Sequence, residues 1–395
     1  MATAPIVSVC IPSYNHAKYV RAALESVLSQ DFGDFEIIIT DDASTDGTVE
    51  EVLAVKDERI HFERNERNVG PSVTAARNMA RARGRFFAFL PSDDMYLPGK
   101  LRRQVEAFER QPELGAVFSW MTPVDDDGAP IAGDFPYYRP AGVTRESALR
   151  HFFFEGNLLS APTVMVRREG FEKVGVFDPC LWQTQDYDMW VKLCLAFPIH
   201  VIEEALVAYR LRAGGANMHA SNPGTDARVA WEFVQVLRNY FALEQDPALF
   251  LRVFPEAAAH LEQGLGVTGA LALLGLGAQM PSPRNFGIEA LYRALNTPET
   301  AAAMERSGHG AAYFYRALAE VDPMRTGALR ALAASSQEIA RLQTTAGGSE
   351  QMAQLQATYA ELVAYHRQVE EAKEWWQKQA EAWEAQAKAL MAQKG

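Results

Sequence analysis

The stretch Phe35-Glu36-Ile37-Ile38-Ile39-Thr40-Asp41-Asp42-Ala43-Ser44-Thr45-Asp46-Gly47-Thr48-Val49-Glu50-Glu51 contains one complete strand–turn–helix step. Residues 35–40 are an apolar, β-branched run that reads as a strand. An acidic, small-residue turn follows. Thr48 with Glu51 three positions later fits a capping box, so a helix starts just after that turn. The same step recurs on both sides. Residues 6–11, 59–63, 86–90 and 116–120 read as strands, and residues 17–30, 48–56, 72–82 and 100–110 as helices. Such alternation implies a mainly parallel sheet covered by helices on both faces. Ligands of such sheets bind beyond the carboxyl ends of the strands. The polar turns after the strands are therefore the places to search.

The chain has 395 residues, and at about 150 residues per domain that predicts two to three domains. An apolar fraction of 48% with 22% charged residues is ordinary globular composition and excludes wholesale disorder. Its 38 basic and 50 acidic side chains leave a formal charge of −12, which argues against a nucleic-acid partner. Three scattered cysteines form no disulfide framework or zinc knuckle, and Cys180 and Cys194 read as packing residues. A reducing, cytoplasmic setting is expected. The first six residues carry no basic segment and no cleavage signal, so secretion is not expected.

Further along, residues 162–167, 199–202 and 208–211 read as short strands and 185–196 as a helix. After Asn222-Pro223-Gly224 the chain becomes rich in Ala and Leu, and 226–342 reads as helical. The uncharged stretch 264–283 contains five glycines and reads as a buried helix or helix pair, not a membrane span. Gly264, Gly266 and Gly269 match a dinucleotide fingerprint in letters only, because a helical run and not a strand precedes them. Thr344 to Ser349 is a flexible linker by composition. Beyond it Leu355, Leu362, Val369, Trp376, Trp383 and Leu390 recur every seven residues. Met352, Tyr359, His366, Lys373, Ala380 and Ala387 hold the matching offset. Residues 350–391 are thus expected to form a coiled coil that makes a homo-oligomer. Peripheral contact with the inner face of a membrane is a secondary expectation, opposed by the flanking glutamates. The expected domains are 1–222, 223–343, the linker 344–349, and 350–395.

Three acidic clusters fall where strands end or a helix begins: Asp41-Asp42 with Asp46, Asp93-Asp94, and Asp186 with Asp188. Paired carboxylates are costly unless solvated, paired or neutralised by a cation. Oxygen ligands of this kind suit Mg²⁺ or Mn²⁺, which also bridge diphosphates.

Five segments in order resemble the inverting family 2 glycosyltransferases. They are Ser8-Val9-Cys10-Ile11-Pro12-Ser13-Tyr14-Asn15, the turn from Asp41 to Gly47, Asn68-Val69-Gly70 with Ala76-Arg77-Asn78, Phe89-Leu90-Pro91-Ser92-Asp93-Asp94, and Gln185-Asp186-Tyr187-Asp188-Met189-Trp190. The resemblance covers residues 5–212. It implies an α/β GT-A fold, a Rossmann-like mixed sheet; the helical domain and the coiled coil read from composition and heptads lie beyond it. It also implies a nucleotide-diphosphosugar donor and a glycan, lipid-linked or protein acceptor. Pro12, Ser13 and Tyr14 would line the nucleotide pocket. Asp42 would read the base, with Asp41 as a close alternative, and Arg77 would lie in the stretch that closes over the donor. Asp93 and Asp94 match the metal- and ribose-binding acids, and Asp186 matches the catalytic base. The cofactor implied is Mn²⁺ or Mg²⁺, and the pathway class is polysaccharide or other glycan assembly.

Two departures from that pattern matter. Pro91 stands where an Asp often begins the metal motif, and Gln185 stands where a Glu often precedes the base. Some relatives add a His metal ligand after a Tyr-Arg pair. Here Arg212 holds that position, and His219 follows later as a candidate ligand. The alternative to an enzyme is a catalytically degenerate sugar-nucleotide-binding scaffold assembled through the coiled coil.

Overall fold

The computed structural model describes residues 4–133, 135–212 and 223–321, with position 360. The chain divides into two compact units, Met1–Ala220 and Ser221–Gly395. The linker 344–349, the heptad series and His219 lie outside the described residues.

The first unit is built on one eight-stranded sheet. Its strands are β1 (Val7–Ser13), β2 (Phe35–Asp41), β3 (Ile60–Arg64), β4 (Phe86–Phe89), β5 (Met95–Tyr96), β6 (Ala116–Val124), β7 (Met165–Arg167) and β8 (Ile199–Arg210). The helices are α1 (Val20–Leu28), α2 (Thr48–Ala54), α3 (Pro71–Arg81), α4 (Lys100–Arg110), α5 (Arg145–Phe154), α6 (Arg168–Val174) and α7 (Gln185–Ala196). The sheet order is β3-β2-β1-β4-β7-β6-β8-β5. β3, β2, β1 and β4 run parallel, β7 is antiparallel to both its neighbours, and β5 pairs antiparallel with β8. The sheet is therefore mixed. Every residue of β2 is buried, as a strand covered on both faces must be. Its core partners include Val7, Val9 and Ile11 of β1, Val20 and Leu24 of α1, and Leu101 and Phe108 of α4.

The local chemistry differs from expectation at three points. The capping box at Thr48 does not form. Gly47 at φ 91° is the N-cap, and Asp46 Oδ1 accepts from both the Thr48 backbone N–H (3.1 Å) and its hydroxyl (2.5 Å). A carboxylate one turn-residue earlier wins the first-turn donors from Glu51. Residues 199–202 and 208–211 are not two strands. β8 runs continuously through the polar Glu203-Glu204 pair, because β6 templates it across a register shift near Trp120. Cys194 is buried, but Cys180 is exposed and so is not a core residue.

A buried lysine ties α4 to the sheet. Lys100 is 0% exposed. Its Nζ donates to Gln104 Oε1 at 2.6 Å and lies 4.4 Å from the Tyr96 ring. Gln104 Nε2 in turn bridges the Val117 and Thr163 carbonyls, each at 2.8 Å.

The described part of the second unit is helical: α8 (Pro223–Leu237), α9 (Pro247–Val253), α10 (Ala258–Glu262), α11 (Gly266–Leu276), α12 (Pro281–Leu295), α13 (Pro298–Arg306) and α14 (Ala311–Val321). The glycine-rich stretch 264–283 forms the buried helix α11 and the start of α12, which packs against it. A Cβ on Gly275 would stand 2.6 Å from the Pro283 carbonyl, and one on Gly287 2.7 Å from Leu276 N. α11 and α12 can approach this closely only because both positions lack a side chain. Among the described residues no helix is long and apolar enough to cross a membrane.

Burial pushes the Lys100 ammonium well below the ordinary lysine range. The unfolded chain therefore binds more protons than the fold between that depressed value and about 10.4, so stability rises with pH through this window. Lys100→Met removes the titrating group. Urea unfolding at about pH 7 and about pH 9.5 should show the wild type gaining more stability on alkalinisation than the variant.

Candidate active site

Beyond the carboxyl ends of β1, β2 and β4 lies a cleft of about 470 Å³. Pro12, Ser13 and Tyr14 form one wall, as expected. Ser13 Oγ is buried there with no hydrogen-bond partner among the described residues, and Tyr14 is exposed. The turns after β1 and β2 are laced together. Asp42 N–H donates to the Ser13 carbonyl (2.8 Å), Asn15 N–H to Ser44 Oγ (2.8 Å), and Thr45 N–H to Asn15 Oδ1 (2.9 Å). Asn15 and Ala43 adopt left-handed φ of 51° and 63°. For alanine that conformation costs about 1–2 kcal/mol, which the bracing sustains.

The two aspartates after β2 part company. Asp41 is fully buried behind the wall and does not line the cleft. Its Oδ1 accepts from Ser44 N–H at 2.9 Å, with Arg64 Nε 3.4 Å away, so it braces the turn. Asp42 does line the cleft. Its Oδ1 accepts from Asn65 Nδ2 (2.8 Å) and Val69 N–H (2.9 Å), and its Oδ2 from Gly70 N–H (2.9 Å). The Asn68-Val69-Gly70 segment is thus folded around this carboxylate. Arg77 is not among the lining residues. Its guanidinium donates to Asn65 Oδ1 and so steadies Asp42 at one remove.

Asp93 and Asp94 form the acidic edge of the cleft. Asp94 is 2% exposed. Burial first, and the Asp93 charge second, push its carboxyl well above the ordinary range. Its Oδ1 accepts from the Arg210 backbone N–H at 2.8 Å. Arg210 is used up within the fold, its Nε donating to the Asp93 carbonyl and its Nη1 to the carbonyls of Asp125 and Asp126. Hard oxygen ligands on adjacent acids suit Mg²⁺ or Mn²⁺. Among the described residues no group of three His, Cys, Asp or Glu side chains is arranged to hold an ion. One or two carboxylates completed by substrate phosphates is the usual magnesium arrangement, and these two acids fit it.

Asp186 enters from the first turn of α7. Its Oδ1 accepts from Tyr187 N–H at 2.7 Å, and Asn157 Nδ2 lies 3.4 Å from its Oδ2. The helix is anchored through Tyr187, whose hydroxyl donates to the Phe152 carbonyl, and through Trp190, edge-on to Phe118 at 5.1 Å. Asp188 is buried away from the cleft and pairs with Lys192 at 2.5 Å. Pro91 and Gln185, the two departures, both line the cleft.

The family assignment rests on this sheet, this cleft and the comparisons with known proteins. The family model for Glycosyl transferase family 2 matches residues 8–175. An uncharacterised glycosyltransferase of Methanocaldococcus jannaschii is 33% identical over 213 residues, 52% of this chain and 71% of that one. TuaG of Bacillus subtilis, assigned as a teichuronic acid biosynthesis glycosyltransferase, is 34% identical over 230 residues, 58% of this chain and 86% of that one. The chain belongs to glycosyl transferase family 2. In fold this glycosyltransferase is similar to residues 1–349 of S. aureus TarS, solved with UDP-GlcNAc. The TM-score is 0.50 at 20% identity, over 76% of this chain and 92% of that one. The first unit has the GT-A fold.

His16 and Trp182 line the cleft without having been singled out in the sequence, and Arg212, read there only as standing where some relatives carry a His ligand, lines it too. His16 lies one residue past the first motif, and Trp182 lacks any local pattern. Trp182 covers the Asp42 side of the cleft. A Cβ on Gly70 would stand 2.7 Å from its Cζ3, and the neighbouring Leu181 carbonyl accepts from Ser72 Oγ at 3.0 Å. Gly70 has a φ of 89° that disfavours any side chain. Gly70→Ala should destabilise the protein by about 1–3 kcal/mol through strain and collision. Adding Trp182→Ala should return the collision part only. Thermal unfolding of the two single variants and the double variant measures this, and simple additivity would show that the ring does not oppose the methyl group.

Proposed function

We propose that this glycosyltransferase moves a sugar from a nucleotide-diphosphosugar to an acceptor hydroxyl with inversion, aided by a divalent cation. The observation that carries the reading is the placement of Asp186 and the Asp93-Asp94 pair on one cleft whose wall is Pro12 to Tyr14 and Asp42. On this reading the wall and Asp42 receive the nucleotide. Asp93 and Asp94 would hold Mg²⁺ or Mn²⁺, whose charge stabilises the leaving diphosphate when bound.

Asp186 then takes the acceptor proton. An alcohol is a poor nucleophile, and a carboxylate that accepts its proton during attack assists it. The new bond forms at the anomeric carbon as the bond to the diphosphate oxygen breaks. A single displacement of this kind inverts the configuration. The Tyr187 N–H on Oδ1 and Asn157 Nδ2, 3.4 Å from Oδ2, orient the Asp186 carboxylate. TuaG's assignment to teichuronic acid biosynthesis supports a surface glycan as acceptor.

Asp186→Asn should lower turnover by about 10²–10⁴ while donor affinity stays within a few-fold. Asp188→Asn should keep turnover. Turnover with candidate donors plus Mn²⁺, and the anomeric configuration of the product by NMR, check both points. A protein that binds donors without turnover in any pairing would be the degenerate scaffold instead. For the cation, Asp94→Ala should abolish the gain in donor affinity that Mn²⁺ gives over EDTA. Equal affinities with and without EDTA in the wild type would remove the cation from the reading.

A further inference from the structure

The cleft is strongly acidic for a site that is to receive a diphosphate. Asp42, Asp93, Asp94 and Asp186 all line it, and among its described lining residues Arg212 is the only Lys or Arg. Arg212 lies two residues beyond Arg210, so in an extended chain both point to the same side. Arg210 is consumed by backbone carbonyls, whereas Arg212 reaches the cleft. Its Nη1 stands 3.5 Å from Asp93 Oδ2 and donates to His16 Nε2.

A guanidinium can only donate, so in this contact His16 Nε2 is the acceptor. The ring proton is then assigned to Nδ1, which faces Ser92 Oγ at 2.7 Å. The imidazole therefore brings no charge to Asp93, although its Nε2 is only 3.7 Å from Oδ2. Among the described residues, Arg212 is the Lys or Arg whose side chain faces the Asp93 carboxylate.

A cation and a guanidinium cannot share Asp93 Oδ2 without mutual repulsion. A guanidinium fork also matches phosphate oxygens as well as it matches a carboxylate. We propose that Arg212 is the diphosphate clamp of this cleft: it rests on Asp93 while the donor is absent and passes to the donor's phosphate oxygens when a divalent cation takes over Asp93. The proposal rests on the donor reading above. It makes Arg212 a competitor of the cation before nucleotide binds and its ally afterwards.

The two roles predict opposite effects from one substitution. The probes are UDP and GDP in EDTA, followed by calorimetry, and Mn²⁺ without nucleotide, followed by electron paramagnetic resonance. Wild-type protein, Arg212→Ala and Arg212→Lys are compared at full length after their melting curves have been matched. Arg212→Ala should lose about ten- to a hundred-fold in affinity for the nucleotide that the wild type binds. The same variant should bind Mn²⁺ several-fold more tightly. Arg212→Lys should fall between, since it keeps the charge and loses the fork. Unchanged nucleotide affinity in Arg212→Ala overturns the clamp, and unchanged or weaker Mn²⁺ binding overturns the competition for Asp93. A wild type that binds neither nucleotide, with or without Mn²⁺, instead overturns the donor reading itself.

Discussion

The first unit is organised around the cost of negative charge at the carboxyl edge of its sheet. Asp41, Asp42 and Asp94 are all nearly or fully buried there. A buried carboxylate is tolerable only when donors or cations face it. Asp41 is met by a turn N–H and Arg64, Asp42 by a side-chain amide and two backbone N–H groups, and Asp94 by a backbone N–H at the end of β8. These partners come from three places: the turn after β2, the end of β3 with the 65–70 loop, and the end of β8. The loops take their shape from the carboxylates, and the cleft is what remains between them.

Much of this was legible in the chain itself, for identifiable reasons. The helices at 100–110 and 185–196 match α4 and α7 to the residue; α4 is regularly amphipathic, whereas α7 is buried nearly all round. Pro12, Ser13, Tyr14, Asp42, Asp93, Asp94 and Asp186 meet on one cleft because each lies at or beyond a strand end or starts a helix. Where the reading failed, a tertiary partner decided the outcome. Asp41 and Asp42 are indistinguishable by composition, and alternation along the chain turned one inward and the other to the cleft. Arg77 was drawn to Asn65, twelve residues earlier. β8 looked like two strands because Glu203 and Glu204 interrupt its apolar run, yet β6 holds it as one. β5 is two residues long and exists only as a partner of β8. No local signal could have found it.

β8 has a double duty that follows from its length. Its start pairs with β6 near Ile199, and its last residue seals Asp94 and the 125–126 turn. Register along it therefore sets which residues reach the acidic edge. The Arg210 and Arg212 guanidiniums both face the Tyr19 ring, at 4.9 and 6.0 Å, and the intervening Leu211 donates its N–H to the Val124 carbonyl.

The contact between Gly70 and Trp182 joins two segments that lie more than a hundred residues apart in sequence. One folds around Asp42, and the other leads within four residues to Asp186. Through Ser72 and Leu181 they also share a hydrogen bond. The two walls of the cleft are consequently a matched pair, as a tenon is matched to its mortise. Anyone grafting a new nucleotide preference into this scaffold by exchanging the 65–72 loop would have to carry residues 181 and 182 across with it. Either segment transplanted alone would leave a void or a collision at the seam, and the carboxylate at 186 would inherit the misalignment.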